Sequence, residues 1–196
     1  MISYYAIIAT AEVIAVLVLS FWLLVRLEGG FEKTLMRFFP HYDIVNGGEL
    51  YLRRFMVRKD AVKGNIFIHH ILKSDSDRDP HGHPWAFDSF ILAGGYVDEA
   101  YEVKWLKGKP TRAQADAEPF KQWPIIRDAL PTRTRAKVFR FYRRPASHTH
   151  MLKLHPGKTA WTFVRTTGQE QPWGFASKFH WTFWRGYLND FENDPG

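Results

Sequence analysis

Four of the nine histidines in this 196-residue chain fall in two His-x-His pairs, His81 and His83 in "DPHGHPW" and His148 and His150 in "PASHTH". Side chains at i and i+2 of an extended segment share a face, so each pair can aim two imidazole nitrogens at one point. Pro80 and Pro84 restrict the backbone on either side of the first pair. Asp88 follows at the head of an apolar run, "FDSFILA". With Asp88, Phe90 and Leu92 on the inner face of that run, His81, His83 and Asp88 supply three ligands from a single hairpin. The chain has no cysteine, so any metal must be held by imidazole, carboxylate or water. One His-x-His pair alone is a weak signal; two, each just ahead of an apolar strand, point to a site for a divalent metal ion.

The elements that must position these residues are mostly strands. From residue 49 onward, short β-branched and aromatic runs alternate with turn residues: "LYLRRFMV", "NIFIHHILK", "FDSFILA", "YVDEAYEV", "KVFRFYRR", "HMLKL", "TAWTFVR" and "GFASKFHWTFW". Eight or so strands at this spacing predict a β-sandwich or barrel. "AGG" at 93–95 and "HPGK" at 155–158 mark the turns between neighbours. The stretch 104–134, with four prolines, reads as a long loop carrying a short helix over 111–117, and a loop of that length is often functional. His69 and His70 alternate along their strand, so only one of them faces the interior.

A length of 196 residues suits one domain with an appendage, and 45% hydrophobic residues with no low-complexity tract exclude a disordered chain. The appendage is residues 6–25, an apolar run whose only charge is Glu12. As a helix it spans roughly 30 Å, the thickness of a bilayer core. Tyr4, Tyr5 and Trp22 lie near its ends, as interfacial aromatics do. The segment lacks a basic start and a small-residue cleavage site, which favours a retained anchor over a signal peptide. Arg26, Lys33, Arg37 and further basic residues all follow it, which predicts a single-pass membrane protein with its C-terminal domain on the cytoplasmic side. Glu12 within the span hints at a homo-oligomer. The expected organisation is therefore an anchor over 1–30, a juxtamembrane amphipathic segment over 31–48, and a β domain over 49–196.

The residues around the histidines resemble the cupin superfamily. Its first motif, a His-x-His, a carboxylate and then a glycine, fits His81, His83, Asp88 and Gly95, with aspartate standing where cupins normally have glutamate. Its second motif fits Pro145 and His150, with Ser147 in place of a glycine, and so selects His150 over His148 as the ligand. The motif's leading glycine is replaced by Asp75, and the closing asparagine by Leu154. Residues 50–187 also look like uncharacterised cupin-like proteins of bacteria and bacteriophages. This resemblance implies a cupin-type double-stranded β-helix, a jelly-roll barrel, with a mononuclear metal on His81, His83, His150 and Asp88.

Three imidazoles, with or without a carboxylate, suit Fe(II) first, with Mn(II), Ni(II) or Zn(II) as alternatives, and leave positions open for a small-molecule ligand. The expected activity is that of a metal-dependent dioxygenase acting on a small polar substrate. The alternative is a non-catalytic cupin-fold module, viral or envelope-associated. Arg78, Arg140 and Tyr142 are the expected substrate-binding residues, since each is placed to meet a carboxylate or phosphate. The net charge of +7 and the run "RTRAKVFRFYRR" at 133–144 raise nucleic acid as a partner, but no recognisable binding motif surrounds them, and proximity to anionic lipid explains the charge better.

Overall fold

The structure is a computed structural model that describes residues 30–46, 48–60, 62–75 and 79–192. The span expected over 6–25 and the candidate residue Arg78 lie outside the described residues. Among the described residues, no helix is long and apolar enough to cross a membrane. The chain divides after His41. On the N-terminal side, "GFEKTLMRF" forms helix α1, Gly30–Phe38.

The C-terminal unit is built on antiparallel strands. The first sheet takes β1 (His41–Asn46), β2 (Glu49–Arg58), β3 (Ile66–Ile71), β11 (Ala160–Thr166), β4 (Phe87–Ala93) and β9 (Phe141–Arg144), in that spatial order. The second sheet has two parts. One runs β10 (Thr149–Leu154), β5 (Tyr96–Tyr101), β8 (Thr132–Ala136); the other runs β12 (Gly174–Ala176), β13 (His180–Phe183), β7 (Gln122–Arg127), β6 (Val103–Trp105). His81 bridges β10 on one side and Phe175 of β12 on the other, joining the two parts. Leu52, Ile71, Ile91 and Ala160 of the first sheet pack on Tyr96, Ala136 and Leu152 of the second, so the core lies between the sheets.

Register fixes which side chains enter that interior. Leu52, Ile71 and Ala160 are aligned across β2, β3 and β11, and the next inner row is Arg54, His69, Thr162 and Ile91. On β4, Ser89, Ile91 and Ala93 are buried. This reverses the expected face: Asp88, Phe90 and Leu92 point away from the core. On β3, His69 joins the inner row, while His70 stacks on Trp161 at 4.1 Å and bonds Thr159.

The stretch 104–134 is more ordered than its prolines suggest. Helix α2, Arg112–Ala117, begins at a capping box formed by Thr111 and Gln114, which satisfies two otherwise orphan N–H groups. Beyond it, β7 lies between β13 and β6; Pro124, which has no N–H, contributes its carbonyl to the Leu106 N–H, while the Ile125 N–H donates to the Phe179 carbonyl. "GFASKFHWTFW" is a hairpin rather than one strand. The chain turns where the Ser177 N–H and hydroxyl both donate to the His180 carbonyl, and helix α3, Trp184–Glu192, follows.

The "AGG" turn does link β4 to β5, with Gly94 and Gly95 at φ of 78° and 80°. A Cβ on Gly94 would lie 1.9 Å from the Thr159 carbonyl oxygen. Left-handed backbone alone costs an L-residue about 1–2 kcal/mol, and the collision adds to it. Gly94→Ala is therefore expected to lower stability by more than about 2 kcal/mol, read as a lower denaturation midpoint in urea.

Candidate metal centre

His81 is the most constrained of the four histidines. Its N–H donates to the His150 carbonyl at 3.0 Å, and the His150 N–H donates back to the His81 carbonyl at 2.9 Å. On the other flank the Gly82 N–H reaches Gly174 at 3.0 Å and the Ala176 N–H reaches Pro80 at 2.8 Å. Pro80 needs no N–H there, and the ladder on both sides sets the direction of the side chain. His83 follows on a loop clamped by Gln171, whose amide donates to the His83 carbonyl at 2.7 Å and also to the Ala146 carbonyl. That amide ties the loop holding the first pair to the loop leading into β10.

The outcome is a near-equilateral triangle of imidazoles. Ring centroids lie 5.1 Å apart for His81 and His83, 5.2 Å for His81 and His150, and 5.1 Å for His83 and His150. One nitrogen from each lies within 4.8 Å of the others. The Nε2 atoms of His83 and His150 are 2.9 Å apart. Two ligands at right angles on one ion, with imidazole bonds of about 2.0–2.1 Å, stand roughly 2.9 Å apart, whereas a tetrahedral pair stands about 3.4 Å apart. The His83–His150 separation thus matches two adjacent positions of an octahedral ion. The same separation suits a hydrogen bond from His83 to His150, so an ion and that hydrogen bond compete for one position, and coordination through His83 Nε2 requires its proton to sit on Nδ1 instead.

Asp98 decides which nitrogen of His150 is available. It stands on β5, two residues from Ala100, which is directly opposite His150, and so shares the face of His150. His150 Nδ1 donates to Asp98 Oδ1 at 2.9 Å, leaving Nε2 with its lone pair directed at the other two rings. His148 Nε2 lies 3.2 Å from both Asp98 oxygens, and Arg144 donates to Oδ2 at 2.8 Å. Burial alone would raise the Asp98 pKa, but the hydrogen bonds from His148 and His150 overcome it and hold the carboxyl well below the usual range. Asp98, His148 and His150 also form a close trio. The Arg144 guanidinium already occupies that carboxylate, which makes the trio a support for His150 and not a second cation site.

Burial, and then the neighbouring imidazoles and Arg54, keep the His83 pKa well below its ordinary value, so the ring is neutral and able to bind a metal at neutral pH. Phe87 packs its ring on His83 at 4.7 Å and on His150 at 6.3 Å, closing the site from the first sheet.

Asp88 is not brought to the triad. Its carboxylate accepts from Arg143 at 2.8 Å and from Arg165 at 2.6 Å on the outer face of the first sheet, and these hydrogen bonds lower its pKa. Asp88→Asn is expected to leave metal content unchanged and to cost less than about 1 kcal/mol, checked by metal analysis and urea denaturation of the same preparation. Tyr142 lies opposite Ser89 on the inner face and packs against the core, but its hydroxyl is engaged away from the triad, donating to the Arg135 carbonyl at 3.2 Å and accepting from the Lys137 N–H at 2.8 Å. Arg140 is exposed in the turn before β9. Asp98, Gln171 and Arg144 carry the site without having been singled out in the sequence.

No protein-family model matches the sequence, and no curated protein matches it. Solved structures are similar to it at low identity. An Fe(II) HppE structure matches with 12% identity and a TM-score of 0.46, over 66% of this chain and 57% of that one. Hydroxypropylphosphonic acid epoxidase from S. wedmorenis matches with 11% identity and a TM-score of 0.43, over 66% and 56%. The polyketide cyclase RemF from Streptomyces resistomycificus matches with 12% identity and a TM-score of 0.45, over 72% and 82%. The chain spans little more than half the length of the first two.

Proposed function

We propose that the β domain is a cupin-type jelly roll whose His81, His83 and His150 hold one divalent metal ion, with Fe(II) the first choice, and that the site is catalytic, an oxygenase centre for a small polar substrate. The observation that carries this reading is the triangle of imidazoles with a 2.9 Å Nε2 to Nε2 separation, backed by the Asp98 bond to His150. Three ligands on one face leave the opposite positions of an octahedral ion to water and substrate. When bound, such an ion would draw substrate and oxygen into contact. The chain's own residues do the rest. Asp98 fixes the tautomer of His150, Gln171 holds the His83 loop, and Phe87 excludes water from one side of the cluster. A carboxylate ligand at Asp88 is dropped from the set, because that side chain is committed to two arginines.

Membrane attachment through residues 6–25, with the domain on the cytoplasmic side, belongs to the same proposal and rests on the hydropathy of that segment and the basic residues after it.

The catalytic reading requires an exchangeable position. Azide titrated into Co(II)-loaded protein is expected to shift the visible absorption of the metal. A spectrum unmoved by azide would indicate a filled coordination sphere, and the domain would then be a non-catalytic, metal-stabilised module.

A further inference from the structure

Resting on the reading of the triad as a metal site, we propose that Arg54 is the anion-binding residue of that site and that the substrate is a small acid, its carboxylate or phosphoryl group docking on the Arg54 guanidinium. Arg54 belongs to the inner row of the first sheet, opposite His69, which in turn lies opposite Thr162. Ile91, in the same row, packs against Leu152 and Tyr96 of the facing sheet, so this row looks into the interior that the histidines share.

The guanidinium is held as a planar receptor. It lies 4.9 Å above the Phe67 ring and 5.5 Å from the Tyr42 ring. Nε donates to His69 Nε2 at 3.0 Å, and Nη1 donates to the Tyr42 hydroxyl at 3.0 Å. Burial, and then Arg54 itself, keep His69 unprotonated. Phe67 touches Trp85 at 6.5 Å, two residues past His83, so the platform under Arg54 continues into the metal-binding loop.

The charge balance points to a missing anion. Four other arginines of the first sheet have carboxylates, Arg53 with Asp43, Arg143 and Arg165 sharing Asp88, and Arg144 with Asp98, while Arg58, at the end of β2, donates to the Gly64 carbonyl. Among the described residues, no carboxylate pairs with Arg54. A part-buried cation set on aromatic faces and neutral acceptors retains unspent charge and hydrogen-bonding capacity, and a guanidinium suits bidentate recognition of a carboxylate or phosphoryl group. A purely structural arginine on an inner face would be expected to neutralise its charge within the protein.

The test uses the full chain, metal-free and Co(II)-loaded, titrated calorimetrically with malonate, with inorganic phosphate and with the uncharged isostere malonamide. Wild type is expected to bind at least one of the two anions and to prefer malonate to malonamide. Arg54→Gln is expected to weaken anion binding about ten- to a hundredfold while leaving Co(II) stoichiometry unchanged, and Arg54→Lys to recover part of the loss. Wild type that binds neither anion, Arg54→Gln that binds them as wild type does, or equal losses for anion and malonamide would each overturn the proposal. Cobalt stoichiometry reports separately on the triad: Arg54-dependent anion binding by a chain that takes up no metal would refute the metal reading and leave the anion site standing.

Discussion

His150→Ala is expected to abolish metal binding, with metal per chain falling to background in tag-free protein by elemental analysis and apparent affinity dropping by more than about a hundredfold. The size of the effect follows from position. His150 is one corner of the imidazole triangle, its backbone forms both hydrogen bonds that align His81, and its Nδ1 is the link to Asp98. The backbone bonds survive the substitution, so circular dichroism should retain the β signature while the metal is lost. Equal metal content in variant and wild type would remove the triad from consideration.

Asp98→Asn is expected to act on both affinity and stability. An amide at this position holds His150 less firmly in the required tautomer, and loss of such a supporting carboxylate typically costs ten- to a hundredfold in metal affinity, roughly. It also strips the counter-charge from Arg144, whose side chain is only 16% exposed. Breaking a buried pair in this way costs about 3–5 kcal/mol. The pH dependence has a definite sign. The folded-state pKa of Asp98 is depressed, so its contribution is fully present above the unfolded value of roughly 4 and is lost as pH falls through the lower folded value. Wild type should therefore lose stability below about pH 4 more steeply than the variant, measured as urea midpoints from pH 7 to pH 3. Parallel pH profiles for the two proteins would show that Asp98 is not the charged hub described above.

The contrast between Asp88 and Asp98 shows where the sequence was legible and where it was not. Two His-x-His pairs in a β-rich chain were enough to find three of the residues that converge, because i, i+2 spacing is a local property. Choosing the face of "FDSFILA" was not local. Apolar residues occupy both parities of that run, Phe87 and Ile91 on one and Phe90 and Leu92 on the other, and what draws Asp88 outward is a pair of arginines 55 and 77 residues away. "YVDEAY" held the same ambiguity in reverse. Asp98 and Glu99 have opposite parity, and only the pairing of β5 with β10 and β8 sends Asp98 to the histidines and Glu99 to Arg133. The alternation of Tyr96, Asp98 and Ala100 was the one available hint. A charge at the centre of an otherwise compact inner face is a candidate hub.

Asp75 tells a related story. It stands where the cupin motif has its leading glycine, a departure that weakened the resemblance. In the structure Asp75 is fully buried, its N–H donates to the Leu152 carbonyl at 2.8 Å, and its carboxylate accepts the Leu152 N–H at 2.8 Å. A glycine could supply the first of these bonds but not the second, so the aspartate adds an anchor for β10 two residues from His150.

The most direct measurement is X-ray absorption at the metal edge of tag-free, Fe(II)-loaded protein. A first shell of about six light atoms with three imidazole nitrogens, unchanged in Asp88→Asn and stripped of imidazole scattering in His150→Ala, is the expected result. A shell without imidazole scattering in the wild type, or one that loses a ligand in Asp88→Asn, would contradict the assignment of the site to His81, His83 and His150.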